Sequence, residues 1–460
     1  MKRISRVLIA NRGEIALRII RACRNLGISP VLAASEIDRE SLPARLADRV
    51  VCIGPSSPRE SYLQVGTLIM AALGTGAEAI HPGYGFLAEQ PELPEACAQN
   101  GLIFIGPKAH QIRQMGDKIF ARKLAQNLGI PVIPGSDTIR ELGEALSAAE
   151  RWGYPLLLKA AAGGGGKGMK IVRRREDMEI SFSEAASEAH AAFGDSRLYL
   201  ERFIPRARHV EVQILGDRYG NLVHLGERDC SIQRRYQKMI EETPSPALSP
   251  AQRDALCQAA IRIAQEIQYE NAGTVEFIFD PDQDRFYFLE MNTRIQVEHP
   301  VTEMVTGVDL VMEQIRIAGG EPLRFRQEEI QCRGHAMECR INAESPHRDF
   351  QPCPGRIAAW KPPEGKEIRI DTHCDPGYFV PPHYDSLLGK LVAWAPDRPA
   401  VIHRLTEALA DFQVSGLDTT IPFLRFILKN PEFIQGTVHT RWIEETLLPE
   451  YQRHERNRLC

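Results

Sequence analysis

Glu290-Met291-Asn292-Thr293-Arg294-Ile295-Gln296-Val297-Glu298-His299 begins at the end of an alternating, strand-like run from Arg285 to Asn292. Successive side chains of a strand point to opposite faces, so Glu290 and Asn292 share one face. A second run, Gly273 to Asp280, precedes it across the turn-rich Pro281-Asp282-Gln283-Asp284, and the two read as a hairpin that brings Glu276 alongside. Two carboxylates and an amide oxygen on adjacent strands are hard ligands suited to Mg²⁺, which keeps some waters and bridges nucleotide phosphates. The plain alternative is a solvated hairpin with ordinary acids. Against it stand Phe277, Phe279, Phe286 and Phe288 around them, because acids in apolar company need a partner or a metal. If the chain stays extended beyond Asn292, then Arg294, Gln296 and Glu298 follow on the same face. They would supply an arginine for an anion, an amide to orient it and a carboxylate as general base; a surface strand of alternating charges is the other reading.

Upstream, strict alternation places His209, Glu211 and Gln213 on one face of a strand and Val210, Val212 and Ile214 on the other, which predicts a half-buried strand with a polar face. The stretch Cys230-Ser231-Ile232-Gln233-Arg234-Arg235-Tyr236-Gln237-Lys238 adds cations that by composition alone read as a solvated basic face. Further back, Gly163-Gly164-Gly165-Gly166-Lys167-Gly168 lies between predicted strands Leu156 to Ala160 and Met169 to Val172, with Lys159 at the end of the first. Such a loop lets backbone N–H groups close around phosphate oxygens, and a lysine adds a point charge. No G-K-[ST] opens a helix here, so it is not a Walker A loop; a flexible turn is the bland reading. With the strand Leu198 to Phe203, this segment forms a small α+β insert that begins after the proline- and glycine-marked boundary at Ile130 to Gly135. The first third has βαβ rhythm and argues a parallel sheet. Its first turn, Ala10-Asn11-Arg12-Gly13-Glu14-Ile15-Ala16, has one glycine, which disfavours a dinucleotide-binding unit.

The chain has 460 residues, 43% hydrophobic and 25% charged, enough for two or three domains. Its formal charge of −4 and pI near 6.4 argue against a nucleic-acid or anionic-membrane partner, which would need a basic field. The apolar run Val7 to Ala10 is too short for a signal-peptide core, and no stretch approaches the ~20 apolar residues of a membrane span. Ten cysteines without a C-x-x-C pair predict reduced, structural thiols of a cytoplasmic protein.

Six stretches, in order along essentially the whole chain, resemble biotin carboxylases. They are Ile9 to Ala16, His81-Pro82-Gly83-Tyr84-Gly85-Phe86-Leu87, Met115-Gly116-Asp117-Lys118, Glu227-Arg228-Asp229-Cys230-Ser231, Glu290 to His299, and Tyr384-Asp385-Ser386. The resemblance implies an α/β and α+β fold of ATP-grasp type. Its parts are a Rossmann-like pre-ATP-grasp domain (1–115), a linker and lid (116–203), a catalytic half with the metal site (204–330) and a C-terminal biotin carboxylase domain (331–460). It implies nucleotide contacts from Lys118, Lys159, Gly163, Gly164, Gly165, Gly166, Met169, Glu201, Ile204, His209 and Gln233, and Mg²⁺ or Mn²⁺ held by Glu276, Glu290 and Asn292. Bicarbonate would lie on Lys238, Arg294, Gln296 and Val297, with Glu298 as base; Arg340 would contact carboxyphosphate and biotin, and Tyr84 and Asp385 would border the substrate. Biotin is expected on a separate carrier protein, since no Ala-Met-Lys-Met site and no carboxyltransferase extension is seen. Carboxyltransferase subunits and a second copy of the chain are the other expected partners. Acetyl-CoA is the first expectation for the final acceptor, among other acyl-CoAs, pyruvate, 2-oxoglutarate and urea. Departures from the family pattern are Ala162 for glycine, Lys167 and Arg202 each exchanging one cation for the other, and Tyr236 near the nucleotide ribose. The rivals are another ATP-grasp ligase, acting on an amine, and a nucleotide-binding regulatory subunit; joint retention of Lys238, Arg294 and Glu298 argues against the latter.

Overall fold

The computed structural model describes residues 4–162 and 168–459; Gly163, Gly164, Gly165, Gly166 and Lys167 lie outside the described residues. The opening alternation forms a five-stranded parallel sheet in the order Arg49–Cys52, Ser29–Ala34, Arg6–Ile9, Ala79–His81, Ile103–Phe104. Val7, Leu8 and Ile9 are fully buried because helices cover both faces, as parallel sheets require. Val7 and Ile9 pack with Ile15 and Ile19 of the helix Gly13–Asn25, and Leu8 packs with Leu68 and Ala72 of the helix Val65–Thr75. Strand order reverses between Arg6–Ile9 and Ala79–His81, and the crevice beyond their carboxyl ends is where such sheets take ligands. There Asn11 Nδ2 donates to the carbonyls of Pro82 and Tyr84, both at 2.7 Å, fixing the turn that carries Tyr84.

The small insert is a three-stranded antiparallel sheet, ordered Lys170–Val172, Leu156–Ala160, Leu198–Arg202. Alanines 145 and 149 of the helix Leu142–Trp152 and 185 and 189 of the helix Met178–Phe193 close a core on it of its own. The rest is organised by an eight-stranded antiparallel sheet: Arg285–Asn292, Asn271–Asp280, Arg208–Gly216, Leu222–Arg234, Gln237–Thr243, His335–Asn342, Leu387–Ala395 and Ile368–Thr372. It runs without a break across residues 330 and 331, since Gln237–Thr243 pairs with His335–Asn342. Its backing changes along its width. The helix Pro250–Glu266 packs under Val210, Val212, Phe277 and Met291, while Arg398–Asp411 and Ile421–Lys429 pack under Met337 and Leu391.

Three features differ from the sequence reading. Every residue of Arg208–Gly216 is buried, so this strand is not half-buried; its polar face is covered by other charged side chains instead of water. The hairpin pairs Glu276 with Glu290 but Phe277 with Phe288, leaving Leu289 as an extra residue. This bulge reverses the alternation: Phe286 and Phe288 join Phe277 and Phe279 in the core, while Glu290 and Asn292 face the cleft. The phenylalanines therefore back the acids from the opposite face of the sheet and do not surround them. Finally, the chain does not stay extended after Asn292. Thr293 to Glu298 is irregular and leads into the helix His299–Thr306, with Pro300 in its first turn, as suits a residue without an N–H to satisfy.

Candidate active site

A cavity of about 530 Å³ is lined by Tyr84, Lys118, Lys159, Met169, Glu201, Ile204, His209, Gln233, Lys238, Glu276, Glu290, Asn292, Arg294, Gln296, Val297, Glu298, Arg340 and Asp385. Every described residue singled out from the sequence thus meets in one place. The irregular segment after Asn292 achieves what a strand would not: it folds Arg294, Gln296 and Glu298 toward one another.

Two cations grip the Glu298 carboxylate, Lys238 Nζ donating to Oε1 at 2.6 Å and Arg340 Nη2 to Oε2 at 3.0 Å. Burial alone would raise this acid, but the charges of Lys238, Arg340 and Arg228 outweigh it and hold Glu298 well below the usual carboxylate range. Lys238 also donates to Glu211 Oε2 at 2.7 Å and Glu276 Oε1 at 3.2 Å. Burial disfavours its charge, yet Cys230 and these three carboxylates raise it well above an ordinary lysine. Arg340 Nε donates to Glu241 at 2.6 Å, an acid that burial pushes up to about 7. Arg294 is held by Glu89 at 2.7 Å, and its other nitrogens donate to Gln296 Oε1 at 2.9 Å and Asn292 Oδ1 at 3.2 Å. Gln296 Nε2 in turn donates to Glu276 Oε1 at 3.1 Å.

Glu276 and Glu290 are direct cross-strand partners, and Asn292 lies opposite Thr274 on the same face. The Lys118 ammonium rests on Glu290, and His209 Nε2 is 3.2 Å from Glu276 Oε2. Oxygen donors clustered in this way, ringed by cations that can take phosphate, fit Mg²⁺ or Mn²⁺ with a nucleotide. Deeper in the cleft, Glu201 holds Lys159 at 3.0 Å and Arg122 at 2.7 Å. Burial, and then the neighbouring Lys159 charge, pull Lys118 down to about 7. His209 Nδ1 is 3.0 Å from Gln233 Nε2, which also donates to the Cys230 carbonyl at 2.7 Å. On the far wall the Tyr84 hydroxyl donates to Glu14.

Sequence reading did not single out Arg228, Glu89, Glu241 or Lys390. Arg228 has no exposed surface and donates to Glu211 (2.6 Å), Gln213 (2.8 Å), Thr302 (3.0 Å) and Thr274 (3.2 Å). The signal for Glu211 was present in its shared face with His209; for Glu89 and Glu241 it was not, since their partners come from distant parts of the chain. All nine cysteines among the described residues are free thiols, and no helix there is long and apolar enough to cross a membrane.

Residues 3–112 match the family model of the biotin carboxylase N-terminal domain, 117–326 the ATP-binding domain of the carbamoyl-phosphate synthase L chain, and 338–445 the biotin carboxylase C-terminal domain. The biotin carboxylase of Nostoc sp. is 53% identical over 96% of this chain and 99% of its own. The chain belongs to the biotin carboxylase family. A pyruvate carboxylase subunit from Methanothermobacter thermautotrophicus, a relative named for a different final acceptor, is 50% identical over 96% of this chain and 90% of its own. The biotin carboxylase domain dimer of Hydrogenobacter thermophilus 2-oxoglutarate carboxylase, solved with MgADP, ADP and bicarbonate, is 47% identical and superposes with a TM-score of 0.94, covering 97% of this chain and 98% of that one. The Campylobacter jejuni biotin carboxylase in a βγ-ATP complex gives 45% and 0.94, covering 96% of this chain and 99% of that one. Biotin carboxylase models at both ends separate this chain from ATP-grasp ligases that act on amines.

Proposed function

We propose that the chain carboxylates biotin on a separate carrier protein, using MgATP and bicarbonate. The observation that carries this reading is the Glu298 carboxylate held between Lys238 and Arg340, with Arg294 and Gln296 beside it. Bicarbonate docks on Lys238 and Arg294, with the Gln296 amide and the Val297 backbone orienting it. As the anion draws on the Lys238 ammonium, Glu298 loses part of the charge that keeps it acidic and becomes the stronger base. It takes the bicarbonate proton, the dianion attacks the γ-phosphorus, and ADP leaves; the products are ADP and carboxyphosphate. Phosphoryl transfer of this kind needs neutralisation more than covalent help, which Lys118, Lys159, His209 and Lys238 provide, with Glu201, Gln233, Met169, Ile204 and the loop of Gly163 to Gly166 closing on the nucleotide. Mg²⁺ or Mn²⁺ on Glu276, Glu290 and Asn292 supplies charge neutralisation of the β- and γ-phosphates when bound. Carboxyphosphate breaks to CO₂ and phosphate, and the phosphate takes the ureido N–H proton of biotin. The freed nitrogen attacks CO₂ while Arg340 stabilises the charge on the ureido oxygen, with Tyr84 and Asp385 at the biotin side.

The working divisions are 1–115, 116–203, 204–330 and 331–460, the last two sharing one sheet. The setting is a cytoplasmic homodimer acting with a biotinyl carrier and carboxyltransferase subunits, and acetyl-CoA is the first acceptor to try. The test is transfer of radiolabel from bicarbonate to free biotin in the presence of MgATP. Acid-labile label on biotin supports the reading; label that appears only on an added amine contradicts it.

A further inference from the structure

Lys390 has no exposed surface and lies directly across from Arg340 on the neighbouring strand. Like charges in that position repel, so each cation needs anions of its own. Arg340 has Glu241 and Glu298; Lys390 has Glu14 at 3.0 Å and, more distantly, Asp371 at 4.0 Å. Lys390 Nζ also donates to the Val297 carbonyl at 2.9 Å. That carbonyl belongs to the peptide joining Val297 to Glu298, so neighbouring cations hold Glu298 at both ends, Arg340 by its carboxylate and Lys390 by its backbone. Glu14, in the first turn of the helix Gly13–Asn25, also accepts the Tyr84 hydroxyl hydrogen bond. A contiguous path, Tyr84–Glu14–Lys390–Val297–Glu298, thus joins a loop of the first sheet to the carboxylate between the two cations.

Resting on the roles proposed above for Glu298 and Tyr84, we propose that Lys390 and Glu14 are positioning residues that hold the bicarbonate side and the biotin side of the cleft in one arrangement. Lys390 acts through the Glu298 peptide, and Glu14 through the Tyr84 hydroxyl. Neither touches the reacting atoms. If the pair did no more than neutralise charge in the core, its loss would lower stability and every rate together, whereas a positioning role separates the kinetic constants.

The experiment is steady-state ADP release by the full chain with MgATP, first with bicarbonate alone and then with free biotin varied. It compares wild type, Glu14→Gln, Lys390→Met and the double variant, with thermal melting to confirm folding. Glu14→Gln is expected to raise KM for biotin about tenfold while the biotin-free kcat falls by less than about threefold. Lys390→Met is expected to lower the biotin-free kcat about tenfold and to raise KM for biotin as well. Because both act on one hydroxyl, the double variant should bind biotin no worse than the weaker-binding single variant. Proportional loss of all constants in both single variants, or multiplied effects on KM in the double, overturns the proposal. Should Lys390→Met not fold, Glu14→Gln decides alone, and an unchanged KM for biotin is the overturning result. A wild-type chain without biotin-dependent ADP release refutes the functional reading itself and this inference with it.

Discussion

Arg228 donates to four acceptors and reaches no solvent, and through Glu211 it sets where Lys238 stands. Replacing it with methionine leaves Glu211 as a buried charge without its strongest partner, and Arg228→Met is expected to cost about 3–5 kcal/mol of stability, measured by urea unfolding. A loss below about 1 kcal/mol would show that Glu211 is neutralised another way. His81 tests the opposite kind of burial. Its Nδ1 accepts from the Gly83 amide at 3.0 Å, and burial, followed by the charge of Arg18, lowers it to about 3. The unfolded chain's histidine takes a proton near pH ~6.5 while the folded one does not. The contribution of neutral His81 is therefore complete above that pH and is lost as pH falls toward 3. The His81→Asn variant should lose about 2 kcal/mol less than wild type between pH 7 and pH 5. Equal losses in the two proteins would show that His81 titrates normally.

Most of the elements were legible because local periodicity and turn chemistry agree with tertiary packing: the helix after Gly13, the insert strands around Lys159 and the hairpin at Pro281 fall close to where alternation and breakers put them. The Leu289 bulge was not legible, because an extra residue in one strand shows itself only against its partner. The end of extension after Asn292 had a signal, Pro300 in a helical first turn, which the alternation of Arg294, Gln296 and Glu298 obscured. The cleft residues were found mainly through motif resemblance and strand faces; Lys390 and Glu241 were not, since sheet register alone brings them beside Arg340. The two-residue turn between Leu222–Arg234 and Gln237–Thr243 places both Arg235 and Tyr236 at positive φ, 49° and 64°, a hairpin turn that favours asparagine and glycine. Tyr236→Asn should raise stability by about 0.5–1 kcal/mol, read as a higher melting temperature. A lower melting temperature would mean that packing of the tyrosine against the cleft outweighs its backbone strain.

At the scale of the molecule, the first sheet, the insert and the eight-stranded sheet each have a core of their own, and the functional side chains meet where the three approach. Ligand that bridges these bodies should stabilise them together: MgATP at a hundred times its Kd is expected to add about 2.7 kcal/mol. Glu290→Gln should lose the metal-dependent part of that gain in thermal melts while melting like wild type without ligand; an undiminished gain would place the metal elsewhere. The measurement closest to the central claim is ADP release by the purified chain with MgATP and bicarbonate, with and without free biotin, in wild type and Glu298→Gln. Biotin is expected to raise the wild-type rate, and Glu298→Gln to lower both rates by about a hundredfold or more. A Glu298→Gln enzyme that keeps its bicarbonate-dependent rate, or a wild-type enzyme indifferent to biotin but stimulated by an amine, would contradict it.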